Sequence, residues 1–120
     1  MKKNYLILIF FLSVFNLSGQ INWVHISSST GAIEVPNAGK QQTSCAVADF
    51  DNDGINDFCI SERTTAPGLV WYRRTQNGWK KHVVEDAICF IEAGTVAFDV
   101  DGDGDMDIIA GGESKTNQVW

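Results

Sequence analysis

The sequence predicts an all-β chain built from β-propeller blades of four antiparallel strands, a partial propeller of about two blades within its 120 residues. Three observations carry that prediction. A nine-residue acidic pattern is written twice, fifty residues apart, as Asp49-Phe-Asp51-Asn-Asp53-Gly54-Ile-Asn-Asp57 and Asp99-Val-Asp101-Gly-Asp103-Gly104-Asp-Met-Asp107. Short apolar runs without helical period flank each copy. Turn residues cut the rest into strand-length pieces, and a repeat of roughly 40 to 50 residues holding four strands has the period of a propeller blade.

The chain opens with Lys2 and Lys3, then an apolar stretch over residues 5–15, then Leu17-Ser18-Gly19 before Gln20. This basic, apolar and small-residue layout predicts a secretory signal peptide over 1–19. The apolar stretch falls short of the roughly 20 residues of a membrane span, and no Cys follows closely enough to carry a lipid. The mature chain is thus expected in a secreted, periplasmic or cell-surface location, with no span of its own.

Residues 20–43 read as an N-terminal strand and loop. Trp23-Val-His25 echoes Trp79-Lys-Lys-His82, so residues 22–27 are expected to be an outer strand that closes the ring on a final blade. Residues 44–92 make the first blade. Its first two strands are expected over 45–48 and 58–60, apolar without alternation, as suits strands buried on both faces. Pro67-Gly68 turns the chain into a third strand over 69–73, and Gln76-Asn77-Gly78 into a fourth over 79–84. Residues 93–120 repeat the plan with strands at 95–98 and 108–110, and Val119-Trp120, echoing Val70-Trp71, fall inside an expected third strand, a blade cut short at Trp120. A closed propeller takes four to eight blades, roughly 200 to 400 residues, so the sequence reads as the amino-terminal piece of a longer protein.

When residues 46–60 are laid over 96–110 without a gap, the identities are the four Asp and the Gly of the acidic pattern. The spacing is what is kept. Carboxylates at positions 1, 3, 5 and 9, with a backbone carbonyl from position 7, supply the hard oxygen shell that Ca²⁺ takes, and Gly at position 6 permits the sharp turn. The first ligand set is Asp49, Asp51, Asp53, the Ile55 carbonyl and Asp57. The second is Asp99, Asp101, Asp103, the Asp105 carbonyl and Asp107, with the Asp105 side chain left outside. Carboxylates within about 5 Å of one another repel by up to roughly 3 kcal/mol per pair at an effective dielectric near 20, so an empty loop is opposed by its own charge. An EF-hand needs a bidentate Glu at position 12 and flanking helices, whereas position 12 here is Ile60 or Ala110.

These residues, from Ala48 to Asp57 and in their copy at 98–107, together with Val70-Trp71-Tyr72 and Trp79-x-x-His82, resemble the FG-GAP or VCBS repeats of secreted bacterial proteins. Those repeats are related to the calcium-bearing blades of the integrin alpha propeller. The resemblance covers nearly all of the mature chain. It implies calcium-binding blades and leaves the role open, because the scaffold serves adhesins, lectin-like modules and some polysaccharide lyases alike.

Formal charge is −6, and loss of Lys2 and Lys3 with the signal peptide takes it to −8. Nine of the fifteen acidic residues lie in the two loops, so the charge is mostly a property of the metal sites, and it argues against a nucleic-acid partner. Three cysteines cannot all pair within one chain. Cys45 and Cys59 face each other diagonally across the first hairpin, at a separation beyond disulfide reach, and Cys89 has no evident mate. All three are expected to be small apolar thiols buried between blades.

A residue that returns at the same place in each repeat serves the scaffold first, which assigns His25, His82 and the four Trp to packing. Tyr72, Arg73 and Arg74, with Lys80 and Lys81, lack a counterpart and are the candidates for ligand contact, a solvated strand edge being the plain alternative. The reading is of a secreted calcium-binding module for extracellular glycans or proteins, not itself an enzyme. The alternative is the propeller domain of a secreted polysaccharide lyase or related carbohydrate-active enzyme; a lyase needs a base and a charge-neutralising group converging in one pocket. A third reading, a purely structural repeat in a large surface protein, needs no pocket at all.

Overall fold

The computed structural model describes residue 19, residues 21–112 and residues 117–119. The predicted signal peptide, Gly19 apart, lies outside the described residues, as does Trp120.

Strands β1 (Gln42–Ala48), β2 (Asp57–Glu62), β3 (Leu69–Thr75) and β4 (Gly78–Glu85) form a four-stranded antiparallel sheet in sequence order. Strands β5 (Ile91–Phe98), β6 (Asp107–Gly112) and β7 (Asn117–Val119) form a three-stranded antiparallel sheet, again in order. The all-β class and the strands expected from 45 to 110 are present, with β1 and β5 starting a few residues early. Each acidic pattern spans the turn of a hairpin. Pairing of Ala48 with Asp57, and of Phe98 with Asp107, closes the two hairpins at equivalent places.

Register decides which side chains meet. Ala46 opposes Cys59, Cys59 opposes Trp71 and Trp71 opposes His82, so these four share one face of the first sheet. That face packs on the second sheet, and the core between them joins Ala46, Cys59 and Leu69 to Cys89, Ile91, Ile108 and Ala110. β1 lies along β5, where Thr43 Oγ1 donates to the Ile91 carbonyl and the Ser44 and Thr95 hydroxyls share a hydrogen bond, both at 2.5 Å. Thr95, Ala97, Ile108 and Ala110 form the second sheet's side of the contact. Shifted back by fifty, they correspond to Cys45, Val47, Phe58 and Ile60, which lie on the other face of the first sheet. The sheets therefore stack front on back.

The back of the first sheet is partly covered by the segment leading into β1. Tyr72 is stacked on Phe58 with ring centroids 4.7 Å apart, and its hydroxyl donates to the Glu34 carbonyl at 2.6 Å. Lys81 Nζ donates to the Val35 carbonyl at 2.8 Å and pairs with Glu34. Glu62, buried at the end of β2, accepts from Gln41 N, Gln42 Nε2 and both the backbone and hydroxyl of Thr64. Gly39 packs directly beside it: a Cβ there would lie 2.6 Å from the carboxyl group and push it from its present position. Residues 22–27, expected as the outer strand of a final blade beyond this sequence, carry no strand pairing among the described residues, and Trp23 is 91 % exposed. β4 is the outer edge of the first sheet and pairs with β3 alone among the described residues.

The cysteines are free, and one departs from expectation. Cys59 and Cys89 are buried in the core, where burial raises the pKa of both thiols. Cys45 is exposed. β1 pairs Cys45 with Ile60 and Ala46 with Cys59, so alternation sends the two thiols to opposite faces and Cys45 to the open one.

Candidate metal centre

Each acidic loop is shaped by residues in left-handed backbone conformation. Gly54 and Gly104, at position 6, have φ of 86° and 98°, as the turn requires. Position 4 is left-handed too, with Asn52 at 56° and Gly102 at 78°. The Asn and Gly found there are the two residue types that enter this region most readily.

These turns aim backbone N–H groups inward. In the first loop Asp49 accepts from Asp53 N at 3.1 Å and Gly54 N at 2.7 Å, while Asp53 Oδ1 accepts from Ile55 N at 2.9 Å. In the second, Asp99 accepts from Asp103 N at 3.2 Å and Gly104 N at 3.0 Å, while Asp103 Oδ1 accepts from Asp105 N at 2.9 Å. The same three bonds recur fifty residues on, although the intervening side chains differ. Asp99 and Asp101 accept further bonds from Gly102 N and Asp103 N.

The frames bring carboxylates together. Asp49, Asp51 and Asp57 each place an oxygen within 4.8 Å of the others, and Asp99, Asp101 and Asp107 do the same. Each trio could hold a metal ion. Asp53 and Asp103 stand outside the trios; each has Oδ1 engaged by the backbone, and Asp53 Oδ2 also faces Arg73 Nη2 at 3.4 Å. The chemistry of the donors fits a hard divalent cation. So does one atom in particular, since Asp51 Oδ1 is buried without a hydrogen-bond partner, a costly state for a carboxylate oxygen unless a cation faces it.

Asp57 is the most enclosed of the ligand candidates and anchors its loop to the next strand. Its Oδ2 accepts from the Trp71 indole N–H at 3.0 Å and its Oδ1 from the Arg74 backbone N–H at 2.7 Å. In the second loop Asp107 Oδ2 accepts from Val100 N at 2.9 Å. The Asp105 side chain points away from its own loop, as expected, and accepts from Asn52 Nδ2 of the first loop.

The ligand-contact candidates have other engagements. Tyr72 has no exposed surface, and burial, with Glu34 nearby, pushes its pKa up to about 12. The strap over residues 33–37 is what removes it from solvent. Arg73 turns to the first acidic loop, pairing with Asp51 and Asp53. Arg74 is exposed and lies over the Trp79 ring at 5.2 Å. Lys80 is exposed, while Lys81 is bound to the strap. His82 stacks on Trp71 at 4.8 Å, and His25 is exposed.

Four partners escaped the sequence reading: Trp71 and Arg74 on Asp57, Arg73 on Asp51, and Asn52 on Asp105. Period two from Trp71 to Arg73, on the strand paired with β2, was the available signal for those two. An open hollow of about 390 Å³ lies between residues 26–28, the strap and Ile60, and no titratable side chain lines it. The chain matches no protein-family model, no curated protein and no solved structure.

Proposed function

We propose that this chain is a calcium-stabilised segment of an exported β-propeller of the FG-GAP/VCBS type, working as a binding module for an extracellular glycan or protein. The observation that carries the metal assignment is the repeated hydrogen-bond frame, with its converging carboxylates and the buried, unpartnered oxygen of Asp51. Front-on-back stacking of the two sheets supports the propeller reading, because neighbouring blades meet in one sense around a ring.

In this reading Asp49, Asp51, Asp53 and Asp57 hold one ion with the Ile55 carbonyl, and Asp99, Asp101, Asp103 and Asp107 hold another with the Asp105 carbonyl. Bound calcium neutralises the clustered carboxylates. The chain's own contribution is orientation: the glycine and asparagine turns aim the amides, and Asp57 fixes the first loop to β3. Without a bidentate Glu the affinity belongs to the weak extracellular class, roughly 10⁻⁴ to 10⁻³ M or somewhat tighter. At a hundred times the dissociation constant, each ion adds roughly 2.7 kcal/mol of stability.

Recognition then falls to the end of the sheets opposite the acidic loops. The segment before β1, the β2–β3 loop and the β4–β5 loop gather there by strand order. A lyase would need an acid-base set, and the hollow beside the strap and Ile60 is lined without a titratable group. Isothermal titration with Ca²⁺ tests the proposal. Uptake of two ions is expected, and the absence of any uptake by the folded protein would refute it.

A further inference from the structure

We infer that Arg73 sets the calcium affinity of the first loop by acting as a resident cation that competes for its carboxylates, an inference that rests on the calcium reading above. Arg73 Nε lies against Asp51 Oδ2 as an ion pair without hydrogen-bond alignment, and its Nη2 reaches Asp53 Oδ2 at 3.4 Å. Two of the four carboxylates of the first loop are thereby shared with a positive charge. The corresponding Asp101 and Asp103 of the second loop are engaged by backbone N–H groups, Asp103 N on the one and Asp105 N on the other.

Placement of Arg73 is built into the sheet. Asp57 holds the Trp71 side chain on one side of it and the Arg74 backbone on the other, so β3 carries residue 73 over the loop whenever Asp57 is engaged. The site that binds calcium also holds its competitor in position. Metal-free, the guanidinium relieves repulsion among the carboxylates and keeps the loop closed. On loading, the ion meets a formal charge of −3 where four carboxylates alone would offer about −4, and charge count is a principal determinant of calcium affinity. Arg73 is a positioning residue for the loop; it supplies no ligand atom.

The test isolates the first loop with Asp101→Asn and Asp103→Asn, then titrates the protein with Ca²⁺ by calorimetry in three forms. Arg73→Gln, which removes charge and keeps length, is expected to tighten binding at least tenfold and to widen the melting-temperature gap between calcium and chelator. Arg73→Lys retains the charge as a compact point and should stay within about threefold of the parent. If Arg73→Gln is unstable, Arg73→Met keeps the aliphatic stem and answers the same question. Equal affinity in the parent and Arg73→Gln, or tightening in Arg73→Lys as large as in Arg73→Gln, overturns the inference and leaves the calcium reading intact. No uptake in any form, including protein with the second loop unaltered, overturns both.

Discussion

Asn52 Nδ2 donates to Asp105 Oδ1 at 2.5 Å, joining the two acidic loops across fifty-three positions of sequence. Neither residue contributes its side chain to the carboxylate trio of its own loop. The bond instead ties one hairpin tip to the other, at the end of the molecule where the carboxylates gather.

That tie should be measurable. Asn52 sits at φ 56°, so glycine is the substitution that removes its amide without opposing the backbone. In a thermodynamic cycle of Asn52→Gly, Asp105→Ala and the double variant, a coupling of about 1 kcal/mol is expected for a single hydrogen bond with a charged acceptor. Chemical denaturation in chelator gives the value, and a coupling below about 0.3 kcal/mol would show the link to be incidental.

Asp57→Ala should be the most damaging single change in either loop. It strands the Trp71 indole N–H and the Arg74 N–H together, at a cost of roughly 2 to 4 kcal/mol. Calcium uptake by the first loop should disappear with it, and the second loop should keep its ion. Asp57→Asn, which can still accept one of the two bonds, should recover part of the stability and little of the calcium binding.

Tyr72 gives the protein an alkaline limit. Its folded pKa of about 12 lies above the ordinary value of 10, so between these limits the unfolded chain releases a proton that the folded chain retains. Its contribution is complete below about pH 10 and is lost as pH rises through about 12. Tyr72→Phe should flatten this decline while losing the bond to Glu34 at all pH values, and thermal melts from pH 8 to 12 separate the two effects.

Thiol labelling should rank the cysteines. At pH 8 Cys45 is expected to react with a small disulfide reagent at the rate of an open thiol, whereas Cys59 and Cys89 should react only as the core opens. Burial holds both of those thiols above the usual range, which slows them further. Calcium should slow them again and leave Cys45 unchanged. Three fast thiols would show that the two sheets do not pack as described.

The features legible in the sequence were those with a local cause. The acidic spacing fixed both loops, the Gly at position 6 gave the turn its sign, and the apolar runs on either side gave the hairpins. What escaped depends on register. Tyr72 reads as an edge residue until residues 33–37, which have no periodicity of their own, are laid across it. Cys45 reads as buried because residues 45–48 are apolar throughout, yet alternation turns it to the open side. Arg73 reads as a surface charge, and its tie to Asp51 follows only once β3 is paired with β2. Each of these is a contact between elements, decided by which face a side chain takes and what lies beyond it.

The front-on-back sense of the contact between the two sheets has a consequence for how such a molecule can change size. A face-to-face contact is saturated by a pair, because each member spends its single adhesive surface on the other. A head-to-tail contact leaves a socket at one end and a plug at the other, here marked by Val47 and Val83 on one side and Val96 and Phe98 on the other. Copying one hairpin unit in the gene therefore adds a member that already fits both neighbours, and the acidic loop copied with it brings its own clasp. Lengthening calls for no new surface.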